Sequence, residues 1–373
     1  MTVSETIQKV ARLTPLADVL SLIDAQVKPV TPRTLDVGAA SGRILASNAT
    51  APARPATAIA LLDGWAVNAE ETVGAESYSP ALLLRVPSRI EVGQAMPAGT
   101  DSVAPLDAVK VGEAQAEALT TIYPGEGVLP SGGDTDPVVP LLRAGERLRL
   151  THIATFAAAG LARIPVREPR IRVVALRGSG IVSAAARLIA ADIERHGGSA
   201  RFDEDGSGLT AALAADNADA IIGLGGTGSG RKDVSVQTLA REGKLAVHGM
   251  ALTPGETAAF GFSGSRPVLL LPGRLDAALA VWLNVGRRMF RRLSGALNRE
   301  NEPTETLVLA RKVTSTVGMT ELVPVRRSAG KAEPLASKYL PFSVLAQADG
   351  WILVPPESEG YSAGASVEIR PWP

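Results

Sequence analysis

The residues best suited to chemistry lie in one glycine-rich segment that follows an apolar run. Residues 221–224 are apolar or small, and after them come Gly225, Gly226, Gly228, Ser229, Gly230, Arg231, Lys232 and Asp233. Glycines let backbone N–H groups approach an oxyanion closely, because no Cβ intervenes and a positive φ costs little. Residues 234–240 read as a helix, whose positive dipole end would face the loop. The segment therefore predicts an anion site. The alternative is a glycine turn in which Asp233 only caps the helix.

Composition excludes several classes of protein. The chain has 373 residues, and a typical domain size of about 150 residues predicts roughly two to four domains. Its 38 basic and 38 acidic side chains leave no net field that would attract nucleic acid or an anionic membrane, so any anion site must be local. Because cysteine is absent, disulfides, thiolate metal sites and cysteine nucleophiles are excluded.

Two further features bear on location and on metals. The first 13 residues are polar and lack a signal-peptide core, and no apolar run approaches the ~18 residues of a membrane span. We therefore expect a soluble, cytoplasmic protein. His152, His196 and His248 lie far apart in the sequence without the spacing of metal ligands. Each is interpreted as a surface residue of a helix or strand.

The first 169 residues predict helices around a β-rich insertion. Helices are predicted over residues 15–26, 35–46 and 150–161. Residues 50–140 contain scattered prolines and glycines between short β-rich runs at 81–86, 88–92 and 119–123. This change in character indicates a separate all-β part.

From residue 170 strands alternate with helices, a pattern typical of βαβ crossovers and a mainly parallel sheet. Strands are predicted over 171–176, 199–202, 219–224 and 267–271, and helices over 183–196, 209–215, 234–240 and 275–293. Ligands bind such sheets beyond the carboxyl ends of the strands, where the glycine segment lies. After residue 303 the chain is β-rich again to Pro373, which predicts a small barrel or sandwich.

Seven short motifs in the same order give the chain a resemblance to the MoeA and gephyrin E-domain family of molybdenum insertases. They are residues 62–67, 93–99, 132–134, 225–233, 253–255, 271–273 and 346–360. The resemblance covers essentially the whole chain and implies an α/β multidomain fold in an elongated homodimer. Its parts would be a helical linker split over 1–49 and 141–169, a β-rich insertion domain at 50–140, a doubly wound molybdopterin-binding α/β domain at 170–302, and a C-terminal β-barrel at 303–373.

The resemblance also implies a reaction, in which adenylylated molybdopterin and molybdate combine, molybdenum enters the dithiolene and AMP leaves. Such chemistry needs cations for phosphates, carboxylates that hold Mg or position molybdate, and backbone donors for oxyanions. The catalytic residues implied are Asp63, Asp134, Glu204, Asp205 and Asp233, with Asp205 and Asp233 as metal ligands. The cofactor-binding residues implied are Arg177, Gly225, Gly226, Gly228, Ser229, Gly230, Arg231, Lys232, Pro254, Gly255, Pro272, Gly273 and Arg274. Without the resemblance, Asp63 and Asp134 fit turn or cap roles equally well.

The chain also departs from the family pattern. Residues 177–182 read Arg-Gly-Ser-Gly-Ile-Val where the family has Ser-Thr-Gly-Asp-Glu-Leu, so an acidic pair is missing. Residues 253–257 replace Lys-Pro-Gly-Lys-Pro without either lysine, Arg274 stands in the family's Pro-Gly-Asn-Pro motif, and Val92 replaces a threonine. Arg177, Arg231, Lys232 and Arg274 lie in loops that the topology places at one sheet edge. The cations are therefore interpreted as relocated, with arginine forks in place of lysine point charges. The alternative is that they are solvated side chains of the loops.

Two functions remain open from the sequence. The retained acids favour a molybdopterin molybdenumtransferase. The lost lysines and acidic pair favour a non-catalytic protein that carries molybdopterin or the finished cofactor to a client molybdoenzyme. An upstream adenylyltransferase is a further expected partner, and no nucleic-acid or membrane partner is expected.

Overall fold

The computed structural model describes residues 8–176, 178–203, 208–296 and 304–373. The chain forms two compact units, which we call the large and the small unit. The large unit comprises Met1–Ser47, Ala144–Arg149 and Ile164–Pro373, and the small unit comprises Asn48–Arg143 and Leu150–Arg163. The boundaries of the four domains predicted above stay a prediction. No helix in the described ranges combines the length and apolarity needed to cross a bilayer.

The small unit is β-rich, as predicted for the insertion. Its strands are Ile59–Ala60, Gly64–Val67, Ala81–Leu82, Ser88–Ile90, Ser102–Pro105, Val109–Val111, Ala116–Ala118 and Val128–Leu129, and its helix is Leu150–Ala158. The predicted strand over 119–123 is wrong, because the strand ends at Ala118. The reason is local: the Ile122 N–H donates to Thr72 Oγ1 at 2.9 Å, so this backbone bonds a side chain instead of a strand.

The large unit begins with the predicted helix, which spans Leu16–Gln26 and buries Leu16, Val19 and Ile23. The helix predicted over 35–46 is wrong. Those residues form a strand at Arg33–Asp36, a 3-10 turn at Val37–Ala39 and a strand at Ile44–Leu45, and both strands pair with Arg163–Arg167. Gly42 takes φ +81° between them, a conformation that suits a turn and not a helix.

The α/β domain follows with six strands in one sheet. Its elements are β1 Arg170–Ala175, α1 Gly180–Arg195, β2 Ser199–Asp203, α2 Gly208–Ala214, β3 Ala220–Leu224, α3 Ser235–Glu242, β4 Lys244–His248, β5 Ala259–Ser263, β6 Arg266–Leu271, α4 Leu275–Val281, a π-helical turn Trp282–Gly286, and α5 Arg287–Ser294. The strand order is β2-β1-β3-β6-β5-β4. The first four strands are parallel and the last two antiparallel. The predicted parallel core is confirmed, and the antiparallel edge is an addition to it.

One buried ionic cluster joins α1 to the long C-terminal helix of this domain. Asp192 is 4% exposed and accepts hydrogen bonds from Trp282 Nε1 at 2.7 Å and from Arg287 Nε and Nη2 at 2.9 and 2.8 Å. His196, one turn later on α1, lies with its Nδ1 2.7 Å from the Asp192 carbonyl. A buried carboxylate with this many donors is a strong local constraint.

The C-terminal part is a closed five-stranded β-barrel, as predicted. Its strands are β7 Glu305–Leu309, β8 Thr320–Ser328, β9 Lys331–Pro334, β10 Gly350–Val354 and β11 Ser366–Pro371. They pair in the order β8-β9-β7-β11-β10, and β10 returns to β8 to close the barrel. A short strand at Leu252–Thr253 of the α/β domain pairs with the start of β8. This pairing brings the loop after Thr253 to the barrel.

Candidate functional site

The glycine segment leaves the carboxyl end of β3, whose five residues are all buried. The Gly225 N–H donates to the Leu271 carbonyl at the end of β6, at 2.8 Å. Gly225 and Gly226 take φ +92° and +73°, which favours glycine at both positions. The predicted placement of this loop beyond the ends of parallel strands is therefore confirmed.

Asp233 turns back into the loop. Its Oδ2 accepts a hydrogen bond from the Gly230 N–H at 2.9 Å, and a Cβ on Gly228 would lie 2.8 Å from the same oxygen. The interpretation that Asp233 caps α3 is wrong, because the N-cap residue is Val234, which makes no side-chain cap. Arg231 and Lys232, at the tip of the loop, are exposed.

The start of α3 does not face the loop as an open anion site. The Ser235 N–H donates to the Gly226 carbonyl at 3.2 Å, and the next two N–H groups, those of Val236 and Gln237, donate to the side-chain oxygen of Gln8 near the start of the chain. The start of the helix therefore lies at the glycine loop, as predicted, but these amides already have partners in the protein, and an effect of the helix dipole on a ligand stays a prediction. No motif in the sequence indicates this role for Gln8.

A cleft of about 440 Å³ lies between the α/β domain and the barrel. Both belong to the large unit. The cleft is lined by two loops that the resemblance implied, 253–257 and 272–274. It is also lined by the barrel residues Thr316, Met319, Glu321 and Lys338. Pro254, Gly255, Pro272 and Arg274, all predicted to bind the cofactor, are thus brought to one cavity. Their contact with a ligand stays a prediction.

Arg274 is the predicted cation in this cleft. Its guanidinium bonds the Asp276 carboxylate and lies 4.7 Å from the centre of the Tyr339 ring. The hydrogen bond to Asp276 raises the pKa of Arg274, so the cation persists at any working pH. Its side chain remains 57% exposed. The fork is therefore fixed in direction and still open to a ligand.

Lys338 is a cleft cation that the sequence did not single out. It takes φ +64°, an uncommon conformation for a residue with a side chain. Glu321, 1% exposed, stabilises this turn by accepting from Ser337 Oγ at 2.7 Å and from the Lys338 N–H at 2.9 Å. Lys338 follows no motif in the sequence, and only the barrel's fold brings it to the cavity that Arg274 also lines.

Glu256 stands where the family has a lysine, and its carboxylate is turned toward the protein. It accepts from Thr253 Oγ1 at 2.7 Å and from the Gly255 N–H at 3.0 Å. The negative charge therefore stabilises its own loop. The two cleft cations, Arg274 and Lys338, are the charges left for a ligand among the residues that line this cavity.

The glycine loop and the cleft are connected. Thr227 Oγ1 lies 3.0 Å from Thr257 Oγ1, which lines the cleft. A Cβ on Gly273 would lie 3.5 Å from Gly225 Cα, so the loop at 272–274 passes close to the glycine loop.

His248, interpreted from sequence as a surface residue, instead bonds the Thr227 backbone, and its Nε2 is buried without a hydrogen-bond partner. Burial lowers the pKa of His248, so it is neutral here.

The small unit carries two of the predicted acids. Asp63 is exposed, and its Oδ1 accepts from the Val92 N–H at 2.8 Å. Val92, which lacks the side-chain hydroxyl of the family's threonine, thus holds this aspartate through its backbone. Asp134 is exposed, and its N–H donates to the Arg54 carbonyl at 2.8 Å. Asp63 and Asp134 therefore both make hydrogen bonds within turns, while a catalytic role for either acid stays a prediction.

Three predicted residues, Arg177, Glu204 and Asp205, lie outside the described residues. The metal-binding pair of Asp205 and Asp233 is therefore untested. Within the described ranges, no group of three or more histidine, aspartate or glutamate residues is arranged to hold a metal ion.

Three family models cover most of the chain. Residues 14–160 match the MoeA N-terminal region (domain I and II), residues 179–292 match a family described as "Probable molybdopterin binding domain", and residues 306–372 match the MoeA C-terminal region (domain IV). The chain belongs to the MoeA family. The resemblance inferred from the seven motifs is confirmed, and membership assigns the chain to molybdenum cofactor biosynthesis, with molybdopterin as its small-molecule ligand.

Individual relatives agree over long stretches. Molybdopterin molybdenumtransferase 2 from Mycobacterium tuberculosis is 26% identical, over 93% of this chain and 97% of that protein. Molybdopterin molybdenumtransferase from Nostoc sp. is 29% identical, over 70% of this chain and 69% of that protein. The crystal structure of a molybdopterin biosynthesis MoeA protein from Pyrococcus horikosii superposes with a TM-score of 0.81 at 23% identity, covering 97% of this chain and all of that one. The last match confirms the fold.

Proposed function

We propose that this chain is a molybdopterin molybdenumtransferase, which inserts molybdenum from molybdate into adenylylated molybdopterin and releases AMP. One observation carries the proposal: two loops of the α/β domain and the barrel line a cleft that presents Arg274 and Lys338, and the glycine loop contacts one of these loops through Thr227 and Thr257. Membership of the MoeA family and the two relatives named as transferases support the same reaction.

The roles of the described residues follow from their chemistry. The Arg274 fork, held by Asp276 and Tyr339, suits two oxygens of one oxyanion, whether molybdate or a phosphate group. Lys338 supplies a point charge from the barrel. The glycine loop, closed by Asp233, presents Arg231 and Lys232 to the phosphates. Because Asp276 and Tyr339 hold the Arg274 guanidinium before a ligand arrives, this group needs little reorganisation when charge develops.

No role in this reaction is assigned to a magnesium ion. Among the described residues, the glycine loop offers the ion one carboxylate, Asp233, and one of its oxygens already accepts the Gly230 N–H. A hard divalent cation takes several oxygen ligands, so this donor set is incomplete. A cytoplasmic location and homodimeric assembly are further parts of the proposal; the location rests on the sequence features described above, and the assembly on the family resemblance.

Asp63 is the acid whose removal tests the chemistry most directly. Asparagine keeps the Oδ1 acceptor for the Val92 N–H, so Asp63→Asn removes charge while preserving the turn. We expect the variant to lose molybdate-dependent cofactor formation and AMP release, with molybdopterin binding nearly unchanged. Asp107→Asn, at an exposed aspartate of the same unit, is the matched control.

The assay supplies purified protein with adenylylated molybdopterin, molybdate and Mg, and measures released AMP together with reconstituted cofactor. If the unmodified protein binds the pterin and never releases AMP, the transferase proposal fails and the carrier function replaces it. Full activity in Asp63→Asn would remove Asp63 from the reaction.

A further inference from the structure

Gln8 joins the two ends of the glycine loop through one side chain. Its Nε2 donates to the Gly226 carbonyl at 3.1 Å and to the Gly228 carbonyl at 2.9 Å. Its Oε1 accepts from the Val236 N–H at 3.0 Å and from the Gln237 N–H at 3.3 Å. A carboxamide has two donor hydrogens and two acceptor lone pairs, and Gln8 uses all of them. The residue is 4% exposed.

These partners fix the orientation of the amide. Reversing it would place the oxygen against two carbonyls and the NH₂ group against two N–H donors, which leaves buried polar groups unpaired. The contact is therefore specific to a carboxamide: neither a carboxylate nor an apolar side chain of similar length can repeat it.

The backbone after Gln8 is anchored to the α/β domain. Thr14 pairs in parallel with Met250; its N–H donates to the Gly249 carbonyl at 3.0 Å, and its own carbonyl accepts from Ala251 at 2.8 Å. Gly249 takes φ +93°, and a Cβ there would lie 2.4 Å from Val10 Cγ1. Residues 8–14 therefore pack against the backbone at Gly249–Ala251, and this packing holds Gln8 at the loop.

Residues 8–13 lie before the part of the chain that matches the model of the MoeA N-terminal region, because that match begins at residue 14. Two of the loop's contacts, from Ser235 to Gly226 and from Gly230 to Asp233, are local in sequence, and Leu271, Thr257 and His248 contact the loop from elsewhere in the α/β domain. Gln8 adds a tether from more than 200 residues away.

We propose that Gln8 is a positioning residue for the molybdopterin-binding loop. This inference rests on the proposed function, since the loop's ligand is taken to be molybdopterin. By occupying the first amides of α3, the Gln8 oxygen keeps an anion away from the helix end. By holding the Gly226 and Gly228 carbonyls, its NH₂ group turns Ser229, Arg231 and Lys232 toward the ligand. The segment before the family-matched region is thereby part of the binding site.

The first test needs no ligand. Trypsin cleaves after Arg231 and Lys232, which are exposed, so its cleavage rate there reports how often the loop opens. We compare Gln8→Glu and Gln8→Met with wild type in the full chain; Gln26→Glu, at an exposed glutamine on the Leu16–Gln26 helix, is the control. Gln8→Glu loses the two donor bonds to the loop carbonyls and Gln8→Met loses all four bonds, so cleavage should speed up by about tenfold or more in both variants. Cleavage at the wild-type rate in both overturns the proposal.

The second test uses molybdopterin and calorimetry. Both Gln8 variants should weaken binding by about tenfold at pH 8, while Gln26→Glu binds as wild type does. In Gln8→Glu the loss should shrink at pH 5.5 relative to wild type, because a protonated carboxyl regains one donor toward the loop carbonyls. Gln8→Met should show no such recovery. A loss equal at both pH values in both variants would indicate general damage and overturn the positioning role.

The two proposals can fail separately. If wild type does not bind molybdopterin, the proposed function fails, whereas the cleavage comparison still tests whether Gln8 sets the loop. If wild type binds it and the Gln8 variants bind equally well, only the positioning role fails.

Discussion

Replacing Arg274 tests the cleft, and the structure sets the size of the effect. Arg274→Ala removes the fork that bonds Asp276 and contacts Tyr339. Asp276, whose side chain is 4% exposed, would keep backbone donors from Ala277 at 2.8 Å and Leu340 at 3.1 Å. Because these donors remain and Arg274 itself is 57% exposed, the stability cost should be about 1–2 kcal/mol, below the ~3–5 kcal/mol for a fully buried pair.

The effect on ligand binding should be larger. One lost charge-assisted contact is worth about 1.5–3 kcal/mol, which corresponds to about 10- to 150-fold in Kd. Arg274→Lys keeps the charge and loses the fork and most of the ring contact, so it should fall between wild type and alanine. If Arg274 acts only through stability, both variants will bind like wild type once folded.

Calorimetry with adenylylated molybdopterin, with and without molybdate, measures the affinity, and urea unfolding measures stability on the same samples. Arg241→Ala is the matched control, since Arg241 is 68% exposed and pairs with the adjacent Glu242 outside the cleft. Unchanged affinity in Arg274→Ala at full foldedness would refute the assignment of Arg274 to the anion.

Three further outcomes are expected. Arg231→Ala should weaken molybdopterin or AMP binding by about 1.5–3 kcal/mol in calorimetry, and an unchanged Kd would return the glycine loop to a purely structural turn. Asp192→Asn should lower the free energy of unfolding at neutral pH. Burial tends to raise the pKa of Asp192, but the hydrogen bond and charge of Arg287 outweigh burial and lower the pKa below 3.8. The stability from that charge is present above about pH 4 and lost as pH falls further, so urea curves of variant and wild type should converge toward acid pH and not toward alkaline pH. Light scattering at micromolar concentration should show a homodimer, and a monomer would contradict the elongated family assembly.

Some of the candidate site could be predicted because its signals are local. The apolar run into Gly225 and Gly226 predicted a loop beyond a buried strand, since a strand buried on both faces reads as a continuous apolar segment. The motif at 253–255 and Arg274 were likewise visible, because loop shape at glycine and proline is set by the residues themselves. The wrong helix at 35–46 shows the limit. A short helix is predicted there from the sequence, yet pairing with Arg163–Arg167, far along the chain, makes strands of both segments.

By itself, the sequence determined the order of the parts, the parallel core of the α/β domain, the C-terminal barrel and the membership of the MoeA family. These depend on periodicity and on short motifs, which a chain carries wherever it folds. Only the tertiary structure decided that Lys338 and Arg274 line the same cleft, that Asp233 closes its own loop, and that Gln8 bonds amides at the start of α3. Each of these contacts depends on where distant segments meet, because a hydrogen bond or an ion pair is fixed by distances of about 3 Å that no local pattern encodes.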